Sequence, residues 1–114
     1  MRGIIVAQVL HVKEEAMQSE LATRRRALSV TFGRYVEADR AWHAALDEMR
    51  VWFPPTDQPN RAAIGNPGSE IRRLYDDRQR ALVLLEAAHL KLETARARLE
   101  EREASGKARI LVLS

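Results

Sequence analysis

Large apolar side chains recur every seven residues in two separate stretches of the chain. The first series is Leu21, Leu28, Tyr35, Trp42 and Met49. The second series is Ile71, Arg78, Leu85, Leu92 and Leu99, in which an arginine replaces one apolar residue. A seven-residue repeat kept over several turns is typical of helices that pack along a common seam. The pattern therefore predicts two long helices.

A second set of seam positions lies between these residues, and half of its members are alanines. The set is Met17, Arg24, Thr31, Ala38 and Ala45 in the first helix and Leu74, Ala81, Ala88, Ala95 and Arg102 in the second. Alanine lets two helix axes approach closely, so that large side chains of one helix cover the alanines of the other. We therefore expect an all-α fold, an antiparallel two-helix coiled-coil hairpin, in which the two helices pack on each other.

Proline and glycine mark the break between the helices. Pro54 and Pro55 disfavour helical geometry at and before their positions, which ends the first helix at Phe53. The sequence Asn66-Pro67-Gly68 predicts a type II turn, and Ser69 is suited to cap the second helix. The chain is then one domain, 1–114, with an apolar N-terminal segment (1–12), helix 1 (13–53), a loop (54–69), helix 2 (70–105) and an apolar C-terminal tail (106–114).

The register predicted from the turn places Ile71 opposite Val51 or Trp52, and Arg78 near Ala45. The β-branched residues of segments 1–12 and 106–114 favour short β-strands at both termini. Two such strands pairing alone are marginal in water and leave open edges. We therefore expect a homo-oligomer or a partner protein that covers the termini, with Ile110 and Val112 in the contact.

Composition narrows the function classes. The chain has 114 residues, a net charge of +3 and no cysteine, which excludes disulfides, thiolate metal ligands and a thiol nucleophile. Its apolar runs fall short of the roughly 20 residues that span a membrane. We expect a cytoplasmic protein with no membrane span.

Two motifs have a chemical interpretation beside a structural one. The arginines Arg24, Arg25 and Arg26 can bind nucleic-acid phosphates, but neighbouring glutamates favour a solvated, ion-paired face. Glu86 and His89 form an E-x-x-H motif, which builds metal sites in four-helix assemblies. Their spacing from Leu85 turns both away from the seam, so we expect no metal and no cofactor.

Four aromatic residues gather toward the loop end, where we expect a small aromatic core that anchors the turn, with Tyr75 close to Trp52; the core would also contain Trp42 and Phe53. The alternative is a tip that binds a partner. Trp52 and Phe53 lie where helix 1 meets the loop, and large aromatic side chains are strong interface anchors. The chain shows no phosphate loop, nucleophile elbow or paired carboxylates, so we expect no catalytic residue. A small toxin enzyme of strand–helix–helix–strand layout is an alternative, although the predicted sheet is too small to support it.

The segment Leu10-x-Val12-Lys13-Glu14, followed by Glu20 and the three arginines at 24–26, resembles the opening of the bacterial type III export stalk family (FliJ/YscO-like). The resemblance covers residues 10–104. It implies an antiparallel coiled-coil hairpin that inserts into an export ATPase ring and contacts the export gate. The four prolines of this chain and its apolar tail differ from the family pattern, and no residue role is carried over.

The expected function is a non-enzymatic, structural protein–protein interaction, as an accessory component of a bacterial secretion apparatus. The first alternative is a nucleic-acid-associated regulatory protein that uses the arginines of helix 1. The second alternative is a metal-binding four-helix assembly of two hairpins.

Overall fold

The computed structural model describes residues 2–52 and 64–113. Helix α1 is Arg2–Trp52, with 51 residues, and helix α2 is Glu70–Leu113, with 44 residues. Within these ranges the fold is all-α, as the heptad pattern predicts. The predicted helix end at Phe53 and most of the predicted loop lie outside the described residues.

The heptad seam is confirmed by burial. In α1, every predicted seam position from Met17 to Met49 is buried or half-buried. In α2, the same holds for every seam position from Ile71 to Leu99. The alanines at positions 88 and 95 are 8% and 6% exposed. A side chain of that size on the seam is covered only when another helix packs closely against it.

The chain consists of two compact units. The terminal unit combines Met1–Leu28 with Ala88–Ser114, and the loop unit is Ser29–Ala87. Each unit therefore contains one segment of α1 and one of α2. Each has its own packing, described in turn below.

The core of the terminal unit is a small aliphatic cluster. Leu21, Leu92 and Ala95 are 3%, 2% and 6% exposed, and Leu28 and Leu99 pack against them. In the same unit the Arg102 guanidinium donates to the sulfur of Met17 at 3.1 Å. An earlier residue of α1 thus meets a later residue of α2, so the two segments run antiparallel.

The loop unit is also antiparallel. Trp42 meets Tyr75, with ring centroids 5.8 Å apart, and Asp39 accepts a hydrogen bond from Arg78. Leu46, only 4% exposed, lies four residues after Trp42 and is not a seam position of the seven-residue series. The apolar stripe is therefore wider in this unit, because residues beside the seam join it.

The turn before α2 forms as predicted. The Ser69 amide donates to the Asn66 carbonyl at 3.0 Å, and Gly68 has a φ of 82°, which a type II turn requires at that position. The Ser69 hydroxyl accepts from the Arg72 amide at 3.1 Å, confirming the cap. Gly65 has a φ of 83°, and a Cβ there would lie 2.7 Å from the Ser69 hydroxyl. Glycine therefore allows the loop to close against the helix end.

The termini differ from the expectation of β-strands. Residues 2–12 continue α1 and residues 106–113 continue α2, with Gly106 inside the helix. Extending an existing helix satisfies each new backbone amide within the helix, whereas a two-stranded ribbon needs a new nucleus and leaves edges unpaired. Glycine inside a helix costs about 1 kcal/mol relative to alanine, which is too little to end it.

The register also differs from the predicted one. Arg78 lies opposite Asp39 and Tyr35 rather than Ala45. Tyr75 meets Trp42 rather than Trp52. The shift has a physical reason: at the observed level the arginine finds a carboxylate and a hydroxyl, whereas Ala45 offers its side chain no acceptor.

We predict that Leu92→Ala lowers the free energy of unfolding by about 2–4 kcal/mol, because it leaves a cavity in the aliphatic cluster. The matched control is Leu90→Ala on the same helix, where the leucine is 66% exposed. The control should change stability by less than about 0.5 kcal/mol. Urea titration followed by circular dichroism measures both variants, and equal effects would contradict the packing described for the terminal unit.

Candidate interaction surfaces

In the loop unit, side chains of both helices form hydrogen bonds and ring contacts with Arg78. Its Nε donates to Asp39 Oδ1 at 2.6 Å, and its Nη2 donates to the Tyr35 hydroxyl at 2.9 Å. Its Nη1 donates to the side-chain oxygen of Gln79 at 3.1 Å. The planar guanidinium has fixed donor directions, so these three acceptors hold it in one orientation.

Aromatic rings complete the surroundings of this guanidinium. The Arg78 Cζ lies 5.3 Å from the centroid of the Tyr35 ring and 5.1 Å from that of the Trp42 ring. Both distances are in the range of cation–π attraction. Trp42 in turn packs on Tyr75, so that residues of both helices surround one charge. The group is an internal polar layer with its hydrogen-bonding groups engaged, and we name it the arginine layer.

The electrostatics of the arginine layer favour the charged pair. The hydrogen bond from Arg78 holds the pKa of Asp39 below its ordinary value, and the charges of His43 and Arg78 act in the same direction against partial burial. His43 Nε2 lies 3.4 Å from the same Asp39 oxygen. The bond to Asp39 raises the pKa of Arg78, so the guanidinium stays charged. The layer therefore fixes register rather than providing a reactive group.

The predicted tip at the end of α1 is exposed. Trp52 is 77% exposed and its neighbour Val51 is 82% exposed. In the observed register, residues 51 and 52 of α1 lie beyond the level at which α2 begins. Phe53, the other aromatic residue predicted here, lies outside the described residues. Trp52 is therefore not part of a buried aromatic core at the loop end, and its role as a partner anchor stays a prediction.

The three consecutive arginines of α1 do not share one environment. Arg24 is half-buried at a seam position, and its Nε lies 3.9 Å from a Glu20 carboxylate oxygen. Arg25 and Arg26 are exposed and lie outside the seam positions. The structure thus presents two of the three guanidinium groups to solvent.

The C-terminal candidates belong to a helix and not to a strand. Val112 is 86% exposed near the end of α2. The side chain of Ile110 lies outside the described part of the structure. Exposure of Val112 leaves it available for contact with another molecule.

The E-x-x-H motif is on the surface. Glu86 and His89 are both exposed, and His89 Nε2 lies 3.9 Å from a carboxylate oxygen of Glu93. Among the described residues, no group of three or more potential metal ligands comes together. Over the same ranges, neither helix has an apolar stretch that could cross a membrane.

An open groove in the terminal unit was not predicted from the sequence. It has a volume of about 760 Å³, and Met17 and Gly106 contribute to its walls. Its charged lining residues are Lys13, Glu20, Arg98, Glu101, Arg102 and Arg109. The signal in the sequence is the heptad continued past Leu99: the next three seam positions are Arg102, Gly106 and Arg109, none of which is apolar.

A smaller depression lies in the loop unit. It has a volume of about 270 Å³ and is lined by Thr31, Arg34, Asp77, Arg80, Ala81 and Leu84. Arg80 and Asp77 form an ion pair one helical turn apart, which neutralises part of its rim. Leu84 is 54% exposed and supplies apolar surface there.

The lowered pKa of Asp39 predicts an acid-sensitive contribution to stability. A carboxyl whose folded pKa lies below its unfolded value stabilises the fold above the unfolded pKa and loses that contribution as the pH falls through the folded pKa. We expect Asp39→Asn to destabilise the chain at pH 7, and the difference from wild type to shrink below about pH 4. Thermal unfolding between pH 2 and 7 measures this.

The matched control is Asp47→Asn, because Asp47 pairs with Arg50 on an exposed surface. Its stability should follow that of wild type across the same pH range. A pH-independent difference between wild type and Asp39→Asn would show that the arginine layer does not depend on the ionised carboxylate.

No family model, no curated protein and no solved structure matches the chain. The resemblance to the export stalk family therefore stays a prediction.

Proposed function

We propose that the chain is a non-enzymatic protein-interaction module, which presents helical surfaces and helix ends to other proteins. The observation that carries the proposal is the small extent of the core compared with the exposed apolar surface. Among the described residues, the buried apolar side chains are five, Leu21, Leu46, Ala88, Leu92 and Ala95. Three of these five, Leu21, Leu92 and Ala95, form a single cluster.

Large apolar side chains are exposed outside the seam positions. Leu90 and Val83 on α2 are 66% and 63% exposed, and Phe32 on α1 is 57% exposed. A single exposed apolar residue is ordinary, but several such residues on helices with so small a core favour binding to another chain. Trp52 and Val112, described above, add an apolar residue at the end of each helix.

The finer proposal is a structural component of a bacterial secretion apparatus, working in the cytoplasm. Its support is the resemblance of residues 10–104 to the export stalk family, together with the two antiparallel units that such a hairpin would contain. Self-association through the termini belongs to the same proposal, since Val9, Val12 and Val112 are all largely exposed.

The nucleic-acid alternative is supported by the exposed Arg25 and Arg26. A salt-titrated gel shift separates it from the first proposal, because phosphate contacts weaken steeply with salt. Loss of duplex binding in Arg25→Glu/Arg26→Glu, with unchanged protein binding, would favour the alternative.

The test of the interaction function is reconstitution from purified proteins. The full chain is isolated from its native host, co-purifying proteins are identified, and each is recombined with the chain and measured by light scattering. We expect a stoichiometric complex. At a partner concentration 100 times Kd, the free energy of unfolding of the chain should rise by about 2.7 kcal/mol.

The control is a protein of similar size and charge that does not co-purify, which should leave the stability unchanged. A chain that remains monomeric at high micromolar concentration, unfolds cooperatively and forms no reconstituted complex would overturn the proposal.

A further inference from the structure

We propose that the open groove of the terminal unit is a docking site for an acidic, amphipathic helix of a partner protein. The inference rests on the proposed interaction function, and it adds the place of contact and the chemistry of the partner. It follows from three properties: the charge of the groove, the open space beside Gly106, and the apolar side chains of Met17 in the groove and Val112 next to it.

The groove is positively charged. Lys13, Arg98, Arg102 and Arg109 line it, against the carboxylates of Glu20 and Glu101, so four positive groups face two negative ones. Glu20 is also shared with Arg24, at 3.9 Å. Among the described residues, the side chains of positions 13, 98 and 109 have no ion-pair partner. These charges are therefore available to carboxylates of another molecule.

The groove has room for another side chain beside Gly106. Nothing lies within 4 Å of the position that a Cβ would take on Gly106, although this residue continues the seam. The adjacent seam residue, Arg102, contacts Met17 through a thioether sulfur, which is a weak acceptor. The seam that is filled by leucines at positions 92 and 99 is thus unfilled one to two turns later.

One exposed apolar side chain of α2, Val112, lies on the same helix face as two residues that line the groove. Arg98, Ser105 and Val112 are spaced by seven residues, so they lie on one face of the helix. The first two line the groove, and Val112 continues their line with 86% of its surface exposed. Met17 adds a half-buried apolar side chain on α1.

A helix with apolar residues on one face and carboxylates beside them matches these features together. Its apolar residues would enter the space at Gly106 and cover Val112, while its carboxylates would pair with Lys13, Arg98 and Arg109. Packing a third helix into the groove between two others is a common mode of recognition, with anchors spaced three, four and seven residues apart. Charge complementarity selects an acidic helix over a basic one.

A designed peptide provides the probe. It has three heptads with leucine at the seam positions and glutamate at the flanking positions, and its counterpart carries lysine in place of every glutamate. Fluorescence anisotropy with the full chain gives the two Kd values. We expect the glutamate peptide to bind at least about tenfold more tightly, and to weaken as salt is added. Equal binding of both peptides would overturn the proposal.

A charge-reversed pair of variants locates the site. Arg98→Glu/Arg109→Glu should weaken binding of the glutamate peptide about tenfold or more. The matched control is Arg25→Glu/Arg26→Glu, which makes the same charge change on exposed residues outside the groove lining. The control should change Kd less than about threefold, through long-range screening alone. Equal losses in the two variants would show non-specific attraction and contradict the assignment.

A labelled variant covers the case in which charge reversal prevents folding. An environment-sensitive dye is attached to Val112→Cys. The emission maximum of the dye should shift to shorter wavelength when the glutamate peptide binds, because the peptide covers the labelled position. Val83→Cys, also at an exposed valine but in the loop unit, is the control and should show no shift. A shift at the control alone would place the peptide elsewhere and contradict the proposal.

The experiments distinguish an incorrect docking site from an incorrect interaction function. A reconstituted partner that binds wild type and Arg98→Glu/Arg109→Glu equally would contradict the groove as the docking site. The proposed interaction function would be unaffected by that result. Absence of any complex would overturn the interaction function itself. Conversion of a wild-type dimer to a monomer by the same double variant would identify a second copy as the occupant, which also contradicts an acidic partner helix.

Discussion

The packing of α1 against α2 along a narrow heptad seam is the constraint on which the structure depends. Two helices in contact can bury only the residues that face each other, so most of each helix surface stays in water. The buried aliphatic cluster around Leu92 supplies the apolar stabilisation of the terminal unit. In the loop unit, a wider stripe that includes Leu46 has the same role.

Arg78, a charged residue on this seam, restricts the register of the two helix segments in the loop unit. An aliphatic heptad tolerates a shift by whole repeats, because leucine can replace leucine at the next level. Arg78 removes that freedom in the loop unit, since its acceptors, Asp39 and Tyr35, occur at one level only. A polar seam residue of this kind commonly reduces stability while fixing register. The arginine layer thus accounts for the alignment of the two segments in this unit.

The sequence was sufficient for features that depend on local spacing and not for those that depend on tertiary partners. The seam positions, the type II turn and the Ser69 cap follow from periodicity and from the conformations of proline, glycine and serine. The register did not follow, because the partner of Arg78 could not be identified without knowing which acceptors would face it. The helical termini did not follow either, because their β-branched composition favours strands whereas a long helix tends to continue. The groove could have been found by extending the heptad past Leu99, where arginine and glycine replace leucine.

The most direct test of this account is a distance between α1 and α2 within one molecule. The chain has no cysteine, so spin labels can be placed at exposed positions 44 and 73 in the loop unit without removing a native thiol. Because packed helix axes are 8–10 Å apart, the account predicts a narrow distance distribution below about 25 Å. Dilution with unlabelled chain should leave it unchanged. A broad distribution, or a short distance that disappears on dilution, would contradict antiparallel packing within the chain.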